Sequence, residues 1–192
     1  MKKYVYLLIL TFFSSSVLAE GWYAGAGYLK SDVNTHKYPS LTYTNYDDED
    51  GGFTIFGGYD FNERFGIEAG YNDLGDTTAT VTEPATANKE ITVTTLAGVL
   101  KTDPIADNIV LFVKAGLAYI DQDEQVVGGA SPSEETTNAF YGVGVNVELP
   151  NGLIVRGLYE DYGEDDGQTD INGLNADQID PDVMSLSLIK RF

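Results

Sequence analysis

The chain has no cysteine, so neither a disulfide nor a lipid anchored through an N-terminal cysteine is open to it. It has one histidine, His36, so any histidine-dependent catalysis would rest on a single residue. Cations are scarce: eleven Lys and Arg stand against thirty Asp and Glu, a net charge of −19. Nucleic acid needs a basic surface, and this balance excludes it as a partner. Past the N-terminus no apolar run approaches the roughly 20 residues of a membrane helix, so membrane residence would have to come from strands. The Gly-x-Gly segments at Gly25–Gly27 and Gly142–Gly144 sit in strand-like sequence with no helix after them, and so are not phosphate loops.

What is present begins with a leader. Lys2 and Lys3 precede an apolar run over residues 4–13, and Val17-Leu18-Ala19 supplies small-residue cleavage chemistry before Glu20. Residues 1–19 therefore read as a secretory signal peptide. Residues 20–192 remain as one domain of 173 residues, with nine basic and thirty acidic side chains and a net charge of −21.

Residues 53–75 organise the rest. They read as two strands joined by a polar turn over 60–64, because alternation dominates and no helical stripe appears. In the second arm Phe65, Ile67, Ala69 and Tyr71 share one face, and Gly66, Glu68, Gly70 and Asn72 the other. A carboxylate between glycines, opposite an apolar face, fits a membrane barrel whose outside meets lipid and whose inside is narrow and polar.

The same reading places strands at 21–30, 52–60, 65–73, 89–100, 109–120, 137–149, 153–162 and 183–192. These are eight strands of about ten residues, the length a tilted strand needs to cross a bilayer. The facing of the fourth, 89–100, stays open. Long connections at 31–50, 73–88, 121–136 and 163–182 alternate with short ones at 60–64, 101–108 and 150–152. In an all-β, eight-stranded antiparallel up-and-down transmembrane barrel, that alternation puts every long loop on one side and both termini on the other. Closure also removes the unpaired edges that hydrocarbon would not tolerate. Trp22, Tyr59, Phe61, Phe65 and Phe192 fall near the short-turn end, and Tyr28, Tyr71, Tyr119, Tyr141 and Tyr159 near the long-loop end, as two aromatic girdles. A soluble eight-stranded barrel with an apolar interior is the alternative. The terminal Phe192, the leader and the polar interior positions Glu68, Lys114, Asn146 and Arg156 argue against it.

Phe56-Gly57-Gly58-Tyr59, then Asn62, Gly66, Glu68, Gly70-Tyr71 and Leu74-Gly75, closely resemble the second and third strands of the outer membrane protein A transmembrane domain family. The likeness extends to Trp22-Tyr23-Ala24-Gly25-Ala26, to Lys114-Ala115-Gly116 and to Arg156. The ending Arg191-Phe192 looks like the terminal signal that barrel assembly machinery reads. Family barrels usually carry an aromatic third from the end, where this chain has Lys190, a side chain able to snorkel to headgroups. Large members add a periplasmic peptidoglycan-binding domain, whose role is not expected of a barrel-only chain.

The resemblance implies that Glu68, Lys114 and Arg156 point into the lumen as a paired network. An eight-stranded barrel is only wide enough for side chains to fill, so an interior charge must be paired. Glu68 is expected to pair with Arg156, with Lys114 adjacent and Asn146 completing hydrogen bonds. Two functions follow. In one the network is a polar plug, and the protein is a structural and surface-interaction barrel presenting four long acidic loops. In the other it gates a small porin for ions or small solutes. The expected location is the outer membrane of a Gram-negative envelope, reached through the periplasm. Partners are the lipid bilayer, lipopolysaccharide, the assembly machinery at Phe192, and host or cell-surface ligands at the loops; the barrel is expected to be a monomer. No cofactor, metal or catalytic residue is assigned. The acids Glu164, Asp165, Asp166, Asp170, Asp177, Asp180 and Asp182 with Asn172 lack calcium-loop spacing and read as a solvated face. His36, with acids such as Asp76, has no flanking catalytic motif.

Overall fold

A computed structural model describes residues 21–35, 43–46, 49–81, 86–126, 133–163 and 179–192. The leader, His36 and the acids 164–177 lie outside these. The described strands are β1 (Trp22–Thr35), β2 (Tyr43–Tyr46), β3 (Glu49–Asp60), β4 (Phe65–Val81), β5 (Thr86–Lys101), β6 (Ile109–Val126), β7 (Ser133–Glu148), β8 (Leu153–Asp161) and β9 (Ile179–Arg191). The order β4-β3-β1-β9-β8-β7-β6-β5 closes through a β4–β5 ladder, so eight strands make an antiparallel barrel. The short β2 adds onto the outer end of β4. Closure pairs the backbone groups around the wall, the condition for standing in hydrocarbon.

Short turns set the register. Asn62 accepts from the backbone N–H groups of Arg64 and Phe65, both at 2.9 Å, which pins the β3–β4 reversal. Gly152, at φ 78°, takes the left-handed position of the β7–β8 turn that a side chain would strain. With register pinned, the period of two sorts every strand. Leu96, Leu117, Val143, Met184, Leu186 and Leu188 face outward as an apolar band. At its inner edge Trp22 and Tyr59 meet edge-on at 5.2 Å, and Tyr59 and Phe61 at 5.4 Å. In β5, Ile91, Val93, Thr95, Ala97, Val99 and Lys101 point inward.

The long connections are shorter than the composition suggests. The β4–β5 ladder runs on through Asp76↔Glu90 to Thr80↔Thr86, inside the expected loop 73–88. The β6–β7 ladder continues to Asp123↔Ser133, inside the expected loop 121–136, and β2 lies inside 31–50. Polarity there marks where the wall leaves the bilayer, not where the strand ends. Threonine is a good strand former, and both faces can be wet once outside lipid. A β-bulge between Asp73 and Asp76, with Gly75 at φ 88°, sits at that transition.

These extensions place like charges directly opposite one another: Asp121↔Glu135, Glu90↔Asp123 and Asp161↔Asp182. Such pairs are destabilising. The hydroxyls of Tyr119 and Tyr159 bond to Glu135 and Asp182 and relieve part of the repulsion. Raising salt from about 0.1 to about 1 M shortens the screening length from about 10 to about 3 Å. Backbone amides of the outer β6–β7 ladder are then expected to exchange hydrogen more slowly, while amides beside Glu68 stay unchanged. Equal exchange at both salts would show that the repulsion does not limit the ladder.

Candidate functional site: the filled lumen

Glu68 projects inward from β4 between Gly66 and Gly70, and Arg156 from β8 on the far wall. Arg156 Nη1 donates to Glu68 Oε2 at 2.5 Å, and its Nε donates to Asn146 Oδ1 at 3.0 Å. Tyr23 donates its hydroxyl to the same Glu68 Oε2 at 3.0 Å. Lys114 Nζ lies 3.0 Å from Glu68 Oε1 and 2.8 Å from Glu160 Oε1. The two carboxylates and two cations sum to zero charge. At 1% exposure for Arg156 and 2% for Glu68, neither ion could persist without its partners.

Glycines make this geometry possible. A Cβ on Gly58 would overlap the Tyr23 ring, one on Gly25 the Phe56 ring, and one on Gly144 the Phe112 ring within 2.6 Å. Each missing side chain gives floor space to an aromatic from the neighbouring strand. Phe112 and Phe56 then lie 4.5 and 4.7 Å from the Arg156 guanidinium carbon, a cation–π enclosure. Gly25 and Gly144, one glycine of each Gly-x-Gly segment, are therefore cradles for the rings that grip Arg156. That role was hidden in the sequence because each partner lies on another strand.

Above and below this waist the lumen changes character. At the short-turn end Lys101 Nζ bonds Asp60 Oδ1 at 2.5 Å, with the ammonium 5.3 Å from the Tyr23 ring centroid. Toward the long connections, Asn72 donates to the Tyr162 hydroxyl at 2.7 Å, and that hydroxyl bonds Glu160. Around them Leu29, Leu74, Ile91, Val93, Ala118, Ile120, Phe140 and Val183 pack into one buried apolar cluster. The expected lumen is polar; its outer half is mainly apolar, with Ser31, Asn72 and Gln122 as buried polar exceptions. This explains why the facing of β5 was open, since Ile91, Val93, Ala97 and Val99 inside and Leu96 and Leu100 outside are apolar alike.

The network brings together Glu68, Lys114, Asn146 and Arg156, and adds Tyr23, Glu160, Asn72 and Tyr162. Glu160 was legible, because it shares the Arg156 face of β8 at a spacing of four. Tyr23 was not, since its reach to Glu68 crosses β3 through Gly58. Phe192 sits at the barrel's seam, its backbone N–H bonded to the Trp22 carbonyl at 3.0 Å. On the outer wall a depression of about 430 Å³ lies over Gly98, between Phe65, Leu100, Val113, Tyr141 and Val143.

No curated protein matches this sequence. Among solved structures it is similar to Ail, the attachment invasion locus protein of Yersinia pestis, at 18% identity and a TM-score of 0.55, covering 89% of this chain and 99% of that one. Another structure of Ail, equally similar, is a complex with the heparin analogue sucrose octasulfate. Neisserial surface protein A is similar at 13% identity and a TM-score of 0.61, covering 92% and 100% of the two chains. OprG of Pseudomonas aeruginosa is similar at 13% identity and a TM-score of 0.62, covering 91% and 96%. The family model described as outer membrane protein beta-barrel domain matches residues 5–192, so the chain belongs to that family and resides in the cell outer membrane.

Proposed function

We propose that this barrel is a structural and surface-interaction protein with a plugged lumen, exported by removal of residues 1–19 and presenting acidic connections outward. The observation that carries the plug is the stacking of two unlike barriers, an electroneutral ion network at the waist and an apolar cluster above it. An ion passing the first would still face the second, whose few polar groups, Asn72 and the Tyr162 hydroxyl among them, are already bonded to one another and too few to replace its water. Phe192 is proposed as the assembly signal, and the folded unit as a monomer in contact with lipopolysaccharide. The sulfated ligand of Ail is not carried over, because the charge of −19 repels a polyanion. Cell-surface partners of neutral or cationic character fit better, and deleting residues 163–182 while measuring adhesion tests their involvement. No catalytic role is proposed.

The second reading, a small porin, has one observation in its favour. Lys114 already touches two carboxylates, Glu68 and Glu160, so pairings could exchange without leaving a charge bare. Planar-bilayer recording separates the two. The folded protein is expected to show no discrete conductance, and Glu68→Ala none either, because the apolar cluster remains. Discrete openings in the wild type, altered by Glu68→Ala, would replace the plug by the pore.

A further inference from the structure

The short-turn rim carries four cations, and three of them are committed. Arg64 bonds Asp103 through two nitrogens at 2.7 and 3.1 Å. Lys101 holds Asp60, and Arg191 holds Glu148 at 2.7 Å. Lys190 is different: among the described residues it has no carboxylate within ion-pair distance. It is exposed on the outer wall, on the same face of β9 as Leu186 and Leu188, where the wall meets lipid. Its cross-strand neighbours are Ala24 on β1 and Leu153 on β8, neither able to offer a polar atom from its side chain. Its ammonium lies 5.7 Å from the Phe192 ring centroid. Phe192 in turn sits opposite Trp22, whose indole is 44% exposed.

An ammonium on a lipid-facing wall cannot remain in hydrocarbon and must extend to the headgroup level. There it needs an anion. The rim carboxylates Asp60 and Glu148 are taken by Lys101 and Arg191. The anion the membrane itself supplies is a lipid phosphate.

We propose that Lys190, flanked by Trp22 and Phe192 and left uncovered by Ala24, holds the phosphodiester of an anionic phospholipid in the inner leaflet at the barrel seam. The ring of Phe192, 5.7 Å from the ammonium, partly screens it from water. A zwitterionic lipid is a poorer partner, because its own cation already neutralises its phosphate. The aromatic that the family resemblance leads one to expect at position 190 would fill the girdle but bind no phosphate.

Trp22 is the chain's one tryptophan, so its fluorescence reports this seam directly. The folded barrel is placed in phosphatidylcholine vesicles doped with acyl-brominated phosphatidylglycerol or, separately, acyl-brominated phosphatidylcholine. One surface cation near the headgroups predicts about fivefold local enrichment of the anionic lipid over the zwitterionic one, read from quenching. The enrichment is expected to fall toward unity in Lys190→Gln and Lys190→Tyr, to persist in Lys190→Arg, and to shrink in high salt. Equal quenching by the two brominated lipids in the wild type would overturn the proposal without recourse to any variant. Enrichment that survives in Lys190→Gln or Lys190→Tyr would overturn it too, as would protection of Trp22 from both lipids by a second copy seated on the seam.

Discussion

Glu68→Gln is expected to lower the unfolding free energy of the barrel by about 3–5 kcal/mol, the range for breaking a buried pair by removing one charge. The amide can still accept from Arg156 and Tyr23, so the loss is not chiefly one of hydrogen bonds. It comes from leaving two buried cations, Arg156 and Lys114, with Glu160 as their one anion. Removing both members of the closest pair restores neutrality, because Lys114 keeps Glu160 at 2.8 Å. Glu68→Leu with Arg156→Leu is therefore expected to recover most of the loss, as apolar replacements of buried pairs often do. Urea unfolding in detergent, followed by the heat-modifiable gel shift, gives all four corners of the double-mutant cycle. If Glu68→Gln unfolds at the wild-type urea concentration, the lumen is wet enough to screen its charges and the plug fails as an explanation.

Gly116→Ala is the second large effect. A Cβ there would overlap the Leu96 carbonyl oxygen and crowd the Ala97 Cα, both backbone atoms of the paired strand β5. A flexible side chain could swing away; a ladder strand cannot without breaking its own hydrogen bonds. Overpacking of this kind costs about 1–3 kcal/mol, and backbone obstruction puts Gly116 at the upper end. Gly98→Ala, one rung away on β5, provides the contrast. Its Cβ would meet nothing within 4 Å and would point into the outer depression. It is expected to stabilise by about 0.4–1 kcal/mol through the unfolded chain's lost freedom. Should both substitutions act alike, the close approach of β5 and β6 at Gly116 is not what holds that glycine in place.

Much of this was readable in advance from particular residues. The period of two in β4 put Glu68 on the face opposite an apolar one, since a strand has only two faces, whereas the inward facing of Arg156 in β8 was implied by the family resemblance. Alternating long and short connections implied an even, closed, antiparallel wall. The strand ends were misread where Thr77, Thr78 and Thr80 extend β4, because a hydropathy reading registers the bilayer and a hydrogen-bond ladder does not. The apolar outer lumen was unreadable from β5, whose two faces look alike.

The sequence by itself determined the class of fold, the side of the wall on which each strongly alternating residue stands, and, through a lumen narrow enough for side chains to fill, the need for every buried charge to be paired. Local alternation and turn chemistry are properties of neighbours along the chain, so they needed nothing else. What brings partners into contact, Tyr23 and Glu160 included, is tertiary structure. Glu68 meets Arg156 across 88 positions, Lys114 across 46 and Tyr23 across 45, distances that only closure and register convert into contact. The same closure set Phe56 and Phe112 around one guanidinium, seated Lys190 beside Phe192 at the seam, and made Gly116 costly to replace while leaving Gly98 in open space. An identical glycine, one rung away on the same β5–β6 ladder, carries opposite consequences because packing, not identity, determines what a side chain would meet.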